Sequence, residues 1–168
     1  FKLFQERIHK HEYSVYHHDD DFIIVTNFDD AKNFKIMKTD KNRTSIENWV
    51  DLFPYDELIK IEGLDIFKDY IVVYERKDGI KKIRVVNLDD MSHHYIKFEE
   101  DVYSYSTWDN YEYDNKIVRV TYNSPITPKT VIDYNMETKE QVIQKVYEVP
   151  NYNKENYETK MIYAEAID

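Results

Sequence analysis

Phe22-Ile23-Ile24-Val25-Thr26 is a run of β-branched and aromatic residues, and the pattern returns as Tyr70-Ile71-Val72-Val73-Tyr74 and Ile117-Val118-Arg119-Val120-Thr121-Tyr122. Such runs favour strands, because side chains branched at Cβ or carrying rings pack well on a pleated surface. After each comes a charged or Pro-containing turn and a second run: Phe34 to Thr39, Lys82 to Leu88 and Thr130 to Met136. The spacing is constant. Phe22 to Tyr70 is 48 residues and Tyr70 to Ile117 is 47, while Phe34 to Lys82 and Lys82 to Thr130 are both 48. Each hairpin is flanked upstream by a further strand (Tyr13 to His18, Ile59 to Phe67, Val102 to Trp108) and downstream by another (Ile46 to Phe53, His93 to Phe98, Val142 to Val149). Helix is confined to a turn around Asp29 to Asn33 and another around Ser45 to Asn48.

Four short antiparallel strands recurring at a fixed period describe the blades of a β-propeller. A β-sandwich also has many short strands, but it has no reason to repeat them at constant spacing. The expected fold is all-β, with three four-stranded blades forming an open arc, since a propeller closes with at least four. The boundaries follow from the period. Residues 1–11 read as the outer strand of a preceding blade and a connector, 12–57, 58–99 and 100–150 as blades, and 151–168 as a tail beyond the last blade.

Composition narrows the function. The 168 residues include 16 Tyr, 8 Phe and 2 Trp, a globular allotment of aromatic area. With 33 acidic against 23 basic residues the net charge is −10, which repels phosphate backbones and anionic lipid surfaces; neither nucleic acid nor a membrane is an expected partner. Zero Cys rules out disulfides and thiolate metal sites and points to a reducing compartment. The only glycines are Gly63 and Gly79, so no phosphate-cradling loop, dinucleotide fingerprint or nucleophile elbow can be written. The chain begins at Phe1 rather than Met and reads as a piece of something longer.

Three residue clusters invite chemistry. His17-His18-Asp19-Asp20-Asp21 holds the most metal-ligating groups, but neighbours on a strand face opposite ways and the spacing is wrong for zinc. His9, His11, His93 and His94 read as strand-end residues. No metal and no cofactor is expected. Glu75-Arg76-Lys77-Asp78-Gly79 contains acid and base, yet Asp-Gly between two apolar runs is foremost a hairpin signal. The alternation Tyr103-Ser104-Tyr105-Ser106 resembles a stacking platform, but its flanks, Glu99-Glu100-Asp101 and Asp109, are acidic, so core packing is the better reading.

A resemblance becomes visible in the order of less common residues. His11-Glu12-Tyr13, Thr26-Asn27, Ala31, Asn33-Phe34, Trp49, Leu52 and Pro54 lead into Phe67, Asp69-Tyr70, Glu75-Arg76 and Gly79. The third blade adds Asn110, Glu112-Tyr113-Asp114, Arg119, Tyr122, Ser124, Thr127-Pro128, Asp133-Tyr134, Met136 and Thr138. In this order the chain resembles the C-terminal part of the seven-bladed propeller of the oligopeptidase B (protease II) group, in the prolyl oligopeptidase family of serine peptidases. Asn156-Tyr157, Thr159, Ala164, Ala166 and Asp168 are similar to the junction into that family's α/β-hydrolase domain. Tyr157, Lys160 and Met161 are then hinge residues. The family usually has Glu-Arg where Lys160-Met161 stand, a change of sign that argues against an inter-domain ion pair here.

The resemblance implies a cytoplasmic enzyme cutting short peptides after Arg or Lys. Its propeller would act as a size filter and lid, and its Ser, Asp and His would lie beyond this junction. No catalytic residue is therefore expected in these residues, which alone should be inactive. The implied partners are the missing catalytic domain and, for the whole enzyme, short basic peptides; exposed blade edges should let the fragment self-associate. The first strand of each blade lines a propeller's channel, and acids gather at these strand ends: Asp19, Asp20 and Asp21, with Glu62, Asp65, Glu99, Glu100, Asp101 and Asp109. They are candidates for steering cationic substrates, with Asp19, Asp20 and Asp21 foremost. A reading of another class is a stand-alone propeller-like interaction module without enzymatic role.

Overall fold

The computed structural model describes residues 3–165, which form three four-stranded antiparallel sheets. The first is β1 (Tyr13–His18), β2 (Asp21–Thr26), β3 (Lys35–Asp40) and β4 (Val50–Asp51); the second is β5 (Ile59–Ile66), β6 (Tyr70–Lys77), β7 (Ile80–Asn87) and β8 (His93–Tyr95). The third is β9 (Ser104–Thr107), β10 (Ile117–Asn123), β11 (Thr130–Asn135) and β12 (Gln141–Val146). In every sheet the strands lie side by side in chain order, the up-and-down arrangement of a propeller blade. The chain divides into two compact units: the first holds the first two sheets together with Glu112–Asp114, and the second holds the third sheet, Ile96–Tyr111 and the chain from Asn115 onward.

In the first unit, alternation along β2 sorts its side chains into two cores. Ile23 and Val25, with Ile36, meet Ile61, Leu64, Ile71, Val73 and Val86 of the second sheet; Ile24 points the other way, to Met37 and Trp49. Ile24, Ile71 and Val73 are fully buried, each stabilising the fold by about 1.5–3 kcal/mol relative to an exposed side chain. This two-sided burial is why the central runs are continuously apolar. The second unit has its own core of Val118, Val120, Tyr122, Ile132, Tyr134 and Met136, with Phe98 stacked on Tyr122 at 4.5 Å. Tyr105, on the strand that resembled a stacking platform, is buried within this unit.

The turns follow the chemistry of their residues. Lys77 pairs with Ile80 across a two-residue loop in which Asp78 and Gly79 have φ of 52° and 77°, the positive pair a tight hairpin requires. Asp19, at φ 49°, opens the equally short loop between β1 and β2. Phe34, at φ 63°, is a bulky residue in a region that disfavours it, held there by its N–H donating to the Ala31 carbonyl at 2.8 Å.

The outer strands differ most from the sequence reading. The run Ile46 to Phe53 splits into a 3-10 turn (Ile46–Asn48) and the two-residue β4, and His93 to Phe98 shortens to the three residues of β8. Short edge strands leave few unpaired backbone groups for an intruding chain to match. β12 is longer, with all six residues exposed, and its register shifts opposite Val131/Ile132. Of residues 1–11, expected to hold the outer strand of a preceding blade and a connector, the described ones, 3–11, form no strand.

Candidate functional site

The hairpin between β1 and β2 brings Asp19, Asp20 and Asp21 to one end of the first sheet, and the structure gives each a separate partner. The Tyr113 hydroxyl donates to Asp19 Oδ1 at 2.6 Å. Asp20 pairs with Lys41, which holds the Asp20 carboxyl below and the Lys41 ammonium above their ordinary values, the hydrogen bond being the main cause. Asp21 faces Lys38 at 3.8 Å. Burial first, and the Asp19 carboxylate second, push the Tyr113 phenol well above its usual range.

Glu112–Asp114 is fixed here by more than that phenol. The Lys68 N–H donates to the Tyr113 carbonyl at 2.9 Å and its ammonium to Asp114 Oδ2 at 3.0 Å. His18 places Nε2 at 2.9 Å from the Lys68 carbonyl and its ring edge-on to Tyr113 at 5.9 Å. His17 turns instead to the Phe22 ring, 5.6 Å away. Among the described residues no three His, Asp or Glu side chains converge as metal ligands. The remaining acids are mostly engaged as well. Glu62 bonds Arg76 at 3.0 Å, Asp65 accepts from the Tyr74 hydroxyl at 2.6 Å, and Glu99 and Glu100 share Lys154. Much of the acidic charge counted from sequence is thus matched locally by cations, which reduces the free field available for steering.

Two buried charge networks escaped the sequence reading. Glu75 is fully buried on β6; Arg84 Nε of β7 donates to its Oε2 at 3.1 Å and the Tyr95 hydroxyl of β8 to its Oε1 at 2.5 Å. The Arg84 guanidinium also lies 5.2 Å from the Phe53 ring centre. Burial, then the Glu75 carboxylate, raise the Tyr95 phenol to about 12. Arg84 and Tyr95 border a groove of about 560 Å³ lined also by Phe34, Phe53, Tyr55 and Leu58. Lys35, 8% exposed, is the second case, 3.1 Å from Asp51 and 3.9 Å from Asp29. In the buried Glu75 carboxylate each oxygen already accepts a hydrogen bond, an arrangement that fixes the side chains of three strands in register. Nothing within a five-residue window announces it, since the cation comes from the next strand.

At the junction, Tyr157 stacks on Tyr152 at 5.2 Å, Lys160 pairs with Glu158 at 2.8 Å, and Met161 is half-buried. Ala166 and Asp168 lie outside the described residues.

The family model for the prolyl oligopeptidase N-terminal beta-propeller domain matches residues 1–146. Dipeptidyl aminopeptidase BI of Pseudoxanthomonas mexicana is 34% identical over 157 residues, covering 94% of this chain and 22% of its own length. Protease 2 of Moraxella lacunata is 28% identical over 153 residues, covering 90% of this chain and 21% of its own length. The chain therefore spans about a fifth of the length of these curated relatives. Among solved structures, oligopeptidase B from Trypanosoma brucei, closed and with covalently bound antipain, matches 87% of this chain and 22% of its own, with TM-score 0.80 and 24% identity. Oligopeptidase B from Leishmania major gives TM-score 0.79 and 23% identity over 89% of this chain and 22% of its own. These likenesses show the fold, three consecutive propeller blades, and the family model shows descent: the chain belongs to the prolyl oligopeptidase family, as part of that family's N-terminal β-propeller domain.

Proposed function

We propose that this chain is the non-catalytic propeller portion of an oligopeptidase B-like serine peptidase that cleaves short peptides after Arg or Lys. The carrying observation is the family match over residues 1–146, joined to a likeness to oligopeptidase B over most of the chain. In this reading residues 12–57, 58–99 and 100–150 are blades and 151–168 leads into a separate α/β-hydrolase domain holding the Ser, His and Asp. The propeller covers that active site, admits short peptides and excludes folded proteins, opening by hinge motion. The Asp19, Asp20 and Asp21 turn favours approach of cationic peptides, with an effect limited by its Lys38 and Lys41 partners. The setting is cytoplasmic, in keeping with a cysteine-free composition.

The test is hydrolysis of blocked Arg and Lys amides by the longer polypeptide and by this chain alone. Turnover is expected from the former and none from the latter, which lacks an elbow and oxyanion donors. Cleavage only after proline, or only of dipeptides from a free N-terminus, would overturn the Arg/Lys specificity while leaving the family intact. Equal rates on short peptides and on a folded protein would overturn the size filter.

A further inference from the structure

Beyond β12 the chain stays bound to the third sheet for eleven more residues. The Tyr147 N–H donates to the Lys129 carbonyl at 2.9 Å, and its ring lies 5.1 and 4.5 Å from the ammonium groups of Lys129 and Lys145. The Tyr152 hydroxyl donates to the Ile126 carbonyl at 2.6 Å, and Tyr157 stacks on Tyr152 with planes within 17°. Between these rings Asn153 caps one turn of 3-10 helix (Lys154–Asn156), its side-chain oxygen accepting from the Glu155 N–H at 3.0 Å. That turn aims Lys154 at the segment leading into the same sheet, with Nζ 2.5 Å from Glu99 Oε2 and 2.7 Å from Glu100 Oε1.

Glu100 makes this contact more than a surface pair. Its side chain is 6% exposed, Thr127 donates to Oε1, and Oε2 is buried with no hydrogen-bond partner. A buried carboxylate needs a counter-charge, and among the described residues Lys154 is the cation at ion-pair distance. From Glu158 the character of the chain changes. No hydrogen bond joins the described residues 158–165 to the sheet, and Ile162 and Tyr163 are 91% and 83% exposed.

We propose that Lys154 is a positioning residue for the inter-domain hinge: it latches the exit segment, through Tyr157, onto the blade it leaves and so places the pivot at Glu158 to Met161. That role in hinge motion rests on the reading that a catalytic domain follows; the latch does not. Tyr157 then moves with the propeller, while Lys160 and Met161 take up the rotation. Releasing the latch adds about ten residues to the free tether, which lowers the effective concentration of one domain at the other.

The test compares this chain with its Lys154→Met variant, which keeps the aliphatic stem and removes the charge. The probes are amide exchange at Tyr152, Asn156 and Tyr157 and chymotryptic cleavage after Tyr152. Exchange and cleavage should rise roughly tenfold or more in the variant, with the β10 and β11 amides unchanged. Lys154→Arg should restore protection, Glu100→Gln should mimic Lys154→Met, and the double variant should go no further than either. No change at Tyr152 to Tyr157, or an equal rise throughout the sheet, would overturn the latch. A longer polypeptide that protects Tyr152 yet fails to cleave any peptide would sink the peptidase reading and leave the latch standing.

Discussion

Replacing Arg84 by Met removes the guanidinium that pairs with a fully buried carboxylate, Glu75. Glu75 has no exposed surface, and its other contact is the Tyr95 hydroxyl at 2.5 Å. Breaking a buried pair on one side leaves an uncompensated charge, which costs about 3–5 kcal/mol. Against a typical stability of about 5–15 kcal/mol that is a large fraction, equivalent to a fall of about 6–20 °C in Tm for a chain of this size. Glu75→Met should cost less, about 1–3 kcal/mol, because the Arg84 side chain is 14% exposed and borders a groove through which water reaches its guanidinium. The double variant should return to within about 1 kcal/mol of the parent, since an apolar pair of similar volume needs no desolvation. Tyr95→Phe, which leaves Arg84 in place, should cost about 1.5–3 kcal/mol, the value of a hydrogen bond to a charged group. The assay is urea unfolding followed by fluorescence in a Trp108→Phe background. The buried Trp49 then reports from the same unit as the network. Arg84→Met costing less than about 1 kcal/mol, or a double variant as damaged as Arg84→Met, would refute the account of Glu75 as a charge held by its partner.

Other outcomes follow from the same physics. Gly79→Ala should cost about 1 kcal/mol from positive φ alone and Gly63→Ala almost nothing, since neither Cβ would meet an atom within 4 Å; thermal melts check both. Tyr95 binds its proton more tightly in the fold, so its contribution is intact below the free phenol value near 10 and disappears as pH rises through about 12, visible as a late phenolate absorbance step coinciding with loss of stability. Burial works to raise the Glu100 carboxyl, but hydrogen bonds from Lys154 and Thr127 outweigh it and hold it below its ordinary value; its stabilisation is present above the unfolded carboxylate value and disappears as pH falls through the lower folded one, so the protection of the Tyr152 amide relative to its intrinsic exchange rate at each pH should fall in acid. In the longer polypeptide, changing Asp19, Asp20 and Asp21 together to Asn should lower kcat/KM for dibasic peptides by a few-fold at low salt and leave a neutral acylating reagent unaffected; no change for dibasic peptides would end the steering idea.

Repetition made the architecture legible. Each blade is a local hairpin with a strand added on either side, so contacts near in sequence decide it, and a period of 47–48 residues survives divergence of every individual side chain. The Asp78-Gly79 turn was readable for the same reason, because two residues fix its conformation. Outer strands were not. Their length is set by what the next segment does: Ile46–Asn48 coils into a 3-10 turn because the Trp49 indole donates to the Thr44 carbonyl at 2.8 Å and packs on Ile24 and Met37. No pattern inside the run Ile46 to Phe53 reports those distant partners.

The candidate site obeys the same rule with the opposite result. The acids of Asp19 to Asp21 were counted as a block, and a block of like charge reads as a field. The fold disperses it: Lys41 comes from the loop after β3, Lys38 from β3 itself, and Tyr113 from a segment more than ninety residues along the chain. Conversely, Glu75 stands in sequence as one charge beside a hairpin signal, and it is the most deeply buried acid among the described residues. Net charge is a property of composition, but field and burial depend on which strand supplies the neighbour. In an antiparallel blade the residue facing position i lies on the adjacent strand, at an offset set by loop length. Arg84 faces Glu75 diagonally, because the register places Lys82 opposite Glu75 and the next same-face position on β7 is Arg84. Once the two-residue turn at Asp78 and Gly79 fixes that register, Glu75 and Arg84 must share a face. A Glu followed nine residues later by an Arg, across a central Asp-Gly, is therefore a pattern that would have marked this pair in advance.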